Sequence, residues 1–274
     1  MMARVFGRAE LEALATFWRV YRRDGVTLGL TSHDRDLWFD GIVHRAAPGM
    51  VPSAVRRSAD LTPDSAEVQG ALTHDSISDA DLAAGRFDGA AVEIGAVDWE
   101  TLERAVLYRG EIGEVTAEAG RFAAELRSDK RRLEEDVVPR TSPTCRARFC
   151  GPGCTLSAAR FTHEAVVEAV DLASNRVAFT GAPAAEAMRD GCLRWLDGPQ
   201  AGLAMEVVSA DENGLVLDAE LASDLQPGAR ALLREGCDHT LATCHARFGN
   251  AANFPGEPFL PGNDVVARYP GAAA

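Results

Sequence analysis

Turn-forming pairs recur along this chain at short intervals. In "FWRVYRRDGVTLGLTSHDRDLWFDGIVHRA", Asp24-Gly25 and Asp40-Gly41 separate runs rich in Val, Thr, Ile, Trp and Phe. Asp-Gly suits a tight hairpin because such turns need positive φ, which glycine adopts without a clash and aspartate tolerates. The same punctuation returns at Asn175, Asp197-Gly198 and Asn213-Gly214, between "EAVVEAVDLASNRVAFTG" and "ENGLVLDAEL". Short alternating runs at this spacing predict a mainly β (α+β) chain of barrel- or sandwich-type domains with a few short helices.

Between these regions, Ser78 is placed to cap a short helix that ends near Gly85, and a strand follows through Val92 to Val97. A strand pair is expected over Arg104 to Ile112 and Gly113 to Leu126, the second with a turn at Gly120. A helix from about Asp129 to Asp136 closes this half, which gives an N-terminal β-rich domain at 1–136 and a C-terminal domain at 137–274. Within the latter, a β-module at about 160–235 would bring its own ends together.

The 274 residues are long enough for one large or two modest domains. A net charge of -13 and a pI near 4.9 argue against a nucleic-acid surface, which needs clustered Lys and Arg. The one basic cluster, in "RSDKRRLEED", is followed at once by acids and reads as a solvated helix face. Charges interrupt the opening "MMARVFGRAELEALATFWRV" where a signal peptide needs an apolar core, and no run approaches the ~20 apolar residues of a membrane span. The expectation is a chain made in a reducing cytoplasm, where grouped cysteines more often bind metal than form disulfides.

Those cysteines are grouped. "CRARFCGPGC" holds Cys145, Cys150 and Cys154, and "GCDHTLATCHARFGN" holds Cys237 and Cys244. If the β-module's ends meet, the two groups face each other across its base. Cys145, Cys154, Cys237 and Cys244 then give four thiolates from two loops, enough for a tetrahedral metal or a cluster. Structural zinc sites favour closely spaced knuckles, whereas wider gaps suit an iron–sulfur cubane. Gly151, Pro152 and Gly153 would let backbone N–H groups approach sulfur. Cys150 is an alternative ligand, since Cys145, Cys150 and Cys154 could supply three ligands with one more from Cys237 or Cys244, and inert buried thiols are a third reading. Cys192, on an expected strand, reads as a small core residue. His239 and His245 read as surface or outer histidines near the second pair, not ligands.

No phosphate-loop, nucleophile-elbow or zincin motif occurs. His33, Asp34 and Asp36 in "SHDRD" read as a polar turn rather than a metal site, and Asp79 and Asp81 as acids that favour a helix start. "NFPGEPFLPG" cannot continue a helix or a central strand, so it should run extended, with Phe254 and Phe259 packed beside the cysteine loops or a neighbouring subunit.

"CRARFCGPGC" followed by "GCDHTLATCHARFGNAANFPGEPFLPG" resembles the tail-tip or baseplate-hub proteins of long-tailed phages and gene transfer agents, and "ISDADLAAGRFDGAAVEIGAVDWE" is similar to their N-terminal part. The resemblance implies a [4Fe–4S] cluster on Cys145, Cys154, Cys237 and Cys244; Cys150 and Cys192 have no place in that pattern. It also implies a homotrimeric ring joining the distal tail protein ring to a large central tip protein, assembled in the bacterial cytoplasm and then carried at the tail tip. On this basis the chain is expected to be a structural hub and not an enzyme. The alternative is an iron–sulfur or zinc-dependent redox enzyme, although no flavin or nicotinamide fingerprint accompanies the cysteines.

Overall fold

The structure is a computed structural model that describes residues 13–47, 51–52, 65–71, 78–118, 121–130 and 138–259. The chain divides into two compact units, Met1–Val137 and Val138–Ala274. Among the described residues no helix is long and apolar enough to cross a membrane.

The N-terminal unit is built on one nine-stranded sheet. Its strands are β1 (Leu14–Tyr21), β2 (Thr27–Thr31), β3 (Leu37–Phe39), β4 (Ile42–Ala46), β5 (Val51–Pro52), β6 (Ser65–Ala71), β7 (Ala91–Asp98), β8 (Arg104–Glu118) and β9 (Arg121–Ser128). Their order is β3-β4-β2-β1-β7-β8-β9-β6-β5. Asp40 and Gly41, at φ 53° and 75°, make the two-residue turn between β3 and β4 that the Asp-Gly pair predicts. Asp24-Gly25 sits inside a longer loop, where the Asp24 carboxylate takes Arg22, Arg86 and the amide of Val26. Ser78 caps helix α1 (Asp79–Ala83) by accepting from the Asp81 amide at 3.1 Å.

The middle strands β1 and β7 are buried on both faces. Trp18 and Val20 point into a core with Leu30, Phe87, Val92 and Ile94, while Ala15 and Phe17 join Leu37, Phe39 and Val97 on the other side. Gly95 lies opposite Phe17, whose ring occupies the space a Cβ there would need. The expected break at Gly113 does not occur. β8 runs on to Glu118, and the register against β9 shifts between Ile112 and Val115, so the glycine marks a bulge within one strand rather than a boundary between two. The expected helix over 129–136 falls mostly outside the described residues.

In the C-terminal unit, β10 (Thr162–Asp171), β11 (Arg176–Thr180), β12 (Cys192–Trp195), β13 (Ala204–Asp211), β14 (Gly214–Leu217) and β15 (Arg230–Arg234) form a closed barrel in the order β10-β11-β14-β13-β12-β15. Every second residue points inward, among them Ala165, Val167, Leu193, Trp195, Met205, Val207, Leu215, Leu217, Ala231 and Leu233. Helix α2 (Ala185–Met188) adds Met188 to that core. Asn175, at φ 52°, holds a barrel end by donating to the Leu217 and Ala219 carbonyls and accepting from the Leu221 amide, each at 2.9 Å.

Closure has one consequence for the cysteines. First and last strands pair directly, Thr162 opposite Arg234, so the chain enters and leaves the barrel at one point.

Candidate cofactor-binding site

Two segments meet where the chain enters and leaves the barrel. The entering segment carries Cys145, Cys150 and Cys154 through tight turns, with Cys150 at φ 56°, Gly153 at φ 87° and Thr155 at φ 63°. The Cys154 amide donates to the Gly151 carbonyl at 3.0 Å. The leaving segment passes Cys237 and enters helix α3 (Leu241–Ala246), which contains Cys244. Asp238 fixes the start of that helix by accepting from the Thr240 amide at 2.9 Å and the Thr243 hydroxyl at 2.7 Å. Thr240 is its N-cap.

Cys145, Cys154, Cys237 and Cys244 line one pocket. The rest of the lining is largely apolar, with Ala147, Phe149, Leu156, Phe248 and Phe254, together with His239 and Asn250. The space among these side chains is about 20 Å³, close to what a single water needs. Phe149, Phe161 and Phe248 pack ring against ring with centroids 4.9 to 5.4 Å apart, which ties the cysteine loop to the start of the barrel.

The thiols influence one another. Burial pushes the Cys237 thiol up, and the neighbouring Asp238, Cys145 and Cys244 push the same way, against the nearby backbone amide of His239, which pushes it down. Cys244 is raised by burial and then by Cys145 and Cys154. Ionised thiolates sharing one pocket would repel, and a cationic group between them would relieve that repulsion. Among the described residues no three Cys, His, Asp or Glu side chains are placed to hold a single metal ion. What the pocket offers is a donor set, four cysteine thiols in a largely apolar shell, of the kind that iron–sulfur clusters use.

Cys150 does not line the pocket. It sits at its margin, where burial raises its thiol and Cys154 and Cys237 add to the effect. Cys192 is not in the barrel interior, contrary to expectation. Its neighbour Leu193 points inward, so alternation turns Cys192 outward, half-buried near Glu206, Arg234 and Arg148. His245 is exposed on α3, whereas His239 lines the pocket. His33 accepts from the Arg35 amide and Asp36 from the Ala46 amide, so "SHDRD" is a hydrogen-bonded turn. Phe254 joins the pocket wall and Phe259 is exposed.

One residue of the site gave no sequence signal strong enough to single it out. Buried Asn250 donates through Nδ2 to the Cys154 carbonyl and through its amide to the Cys244 carbonyl, bolting the two cysteine segments together. The available hint is its place just after Gly249, which at φ 60° ends the turn following α3. Downstream, Arg146 pairs with Glu257 and donates its amide to the Pro255 carbonyl, which lays this segment alongside the first cysteine segment; it is not extended throughout, since Asn253 ends a 3-10 turn (Ala251–Asn253) and the chain bends at Gly256.

The profile of the baseplate hub protein, N-terminal attachment domain, matches residues 7–157, and that of a phage conserved hypothetical protein, BR0599, matches 186–264. The first span contains Cys145 and Cys154, and the second Cys237 and Cys244. No curated protein matches the chain. With more than half its length under the first profile, the chain belongs to the baseplate hub protein family. Among solved structures it is similar to a chain from the virion of a native gene transfer agent particle, at 35% identity over 96% of this chain and 93% of that one, with a TM-score of 0.81.

Proposed function

We propose that the chain is a structural hub subunit of the tail tip or baseplate of a gene transfer agent or related phage-like particle, with Cys145, Cys154, Cys237 and Cys244 holding a [4Fe–4S] cluster. The observation that carries this reading is the convergence of four cysteines, from both sides of a closed barrel, on one pocket in a baseplate hub family member. The cluster's part is structural. It staples two segments that are far apart in sequence, and its binding free energy adds to folding. A single zinc at ~2.3 Å from each sulfur would need the thiols gathered more tightly than a cubane does.

The subunit acts as a homotrimer between the distal tail protein ring and the large central tip protein, having been assembled in the bacterial cytoplasm. Exposed apolar side chains support a role in contacts with other subunits. Trp38 and Val43 form a cross-strand pair, 66% and 49% exposed, at one edge of the large sheet, and Phe259 is 88% exposed. Trp99 packs against the core around Phe17. The reading is non-enzymatic, supported by the chain's membership of the baseplate hub family.

Anaerobic purification tests the cluster. About four irons and matching acid-labile sulfide per chain are expected. Stoichiometric zinc without sulfide, in protein never exposed to air or chelator, overturns it. Serine at any one of Cys145, Cys154, Cys237 or Cys244 should lose most of the iron, while Cys192→Ser and Cys150→Ser keep it. Deleting the gene tests the hub: particles that still complete their tips and deliver DNA would sink that role and favour the redox-enzyme reading.

A further inference from the structure

His239 does two separable things at the pocket. Its backbone is one. At φ 58° it turns the chain so that its carbonyl accepts from the Cys145 amide at 2.8 Å, joining the two cysteine segments. Glycine would make the same turn with less strain, so the backbone does not require an imidazole here. The ring is the other. It lines the pocket beside the four thiols, and its Nδ1 is buried with no hydrogen-bond partner among the described residues. A buried ring nitrogen without a partner is rare in folded proteins and commonly marks a site that a bound group completes.

We propose that the Nδ1–H of His239 donates a hydrogen bond to a sulfur of the iron–sulfur group in this pocket, making His239 a positioning residue that raises the group's reduction potential. This rests on the cluster reading above. A donor aimed at a cluster sulfur stabilises the more electron-rich, reduced form over the oxidised one, so its removal lowers the potential.

The test uses the full-length chain, purified without oxygen, as wild type, His239→Gly and His239→Asn. Glycine keeps the turn and the backbone hydrogen bond to the Cys145 amide but removes the ring. Asparagine tolerates the left-handed φ and restores an N–H close to the place of Nδ1. Iron and acid-labile sulfide are measured first, then the midpoint potential in a titration followed by electron paramagnetic resonance. His239→Gly should load as the wild type does and show a midpoint about 59 mV more negative, a tenfold change in the one-electron equilibrium. His239→Asn should recover most of that shift. Equal midpoints in loaded wild type and His239→Gly overturn the inference and leave the cluster intact as a reading. Absence of sulfide from the wild type overturns both. A measurement on the wild type alone covers the case in which His239→Gly does not load: protein grown with ¹⁵N-histidine and then reduced should show hyperfine coupling of the cluster spin to an imidazole ¹⁵N. Its absence also overturns the inference.

Discussion

His44 is a fully buried histidine in a sheet that sequence reading left as a plain hairpin. Its ring stacks on Phe39 at 3.8 Å and accepts from Arg19 Nε at 3.1 Å, and Arg19 also pairs with Asp40. Burial, and then the Arg19 guanidinium, push its pKa down from 6.5 to about 4. Between those values the unfolded chain binds a proton that the folded one refuses, so stability is full above about pH 6.5 and falls as pH drops toward 4. The loss is about 3 kcal/mol. Urea unfolding of the N-terminal unit should show it, and His44→Gln, which cannot titrate, should flatten that part of the profile. Asn250 is the matching case in the second unit. Asn250→Leu leaves the Cys154 carbonyl unpaired in a buried place, so a loss of about 2 kcal/mol is expected. Chemical denaturation of the loaded protein measures it, and unchanged stability would show that the Asn250 hydrogen bonds are not what holds the two segments together. Neither residue was legible beforehand, because a His in a strand and an Asn after a Gly become special only through neighbours distant in sequence.

Among the elements, the turns were the most legible, since Asp40-Gly41 and the Ser78 cap depend on backbone chemistry within a few residues. Gly113 misled because a glycine in a strand marks a bulge as readily as an end, and only the partner strand β9 decides which. The joint after β15 is the most sensitive element. Gly236 follows the last barrel strand, donates its amide to the Ala187 carbonyl at 2.9 Å, and leaves no room for a Cβ against the Arg189 carbonyl and the backbone of Asp190 and Gly191. Gly236→Ala should therefore cost more than about 3 kcal/mol and displace Cys237, seen as lower thermal stability together with lost iron. Gly228→Ala is the control. Its φ is 97° but a Cβ there meets nothing within 4 Å, so a cost of only about 1 kcal/mol and full iron content are expected.

For the molecule as a whole, the barrel's core is complete without the pocket: its interior is filled by its own strands and by Met188, Leu221 and Leu225. Stripping the iron anaerobically should thus raise amide hydrogen exchange mainly over 142–157 and 237–256, and leave β12, β15 and, in the other unit, β1 and β7 protected. Global loss of protection across the barrel would mean that the cysteine pocket nucleates the whole unit. In the large sheet, the exposed Trp38–Val43 pair lies at the edge marked by β3, where an unpaired strand is open to another chain.

Local chemistry is what the sequence determined by itself. Turn pairs set the antiparallel β character, alternation set which barrel residues point inward, and grouped cysteines marked where a metal or cluster would sit. Each of these signals lies within a few residues, so it survives without a tertiary structure. Which thiols share the pocket was decided only when β10 paired with β15 and brought both segments to one place. That closure put Cys145, Cys154, Cys237 and Cys244 in one lining and left Cys150 at its margin. It also placed His239 and Asn250 at the junction, because their roles come from groups up to about a hundred residues away in the chain, and the physics of those contacts is not written in either segment alone.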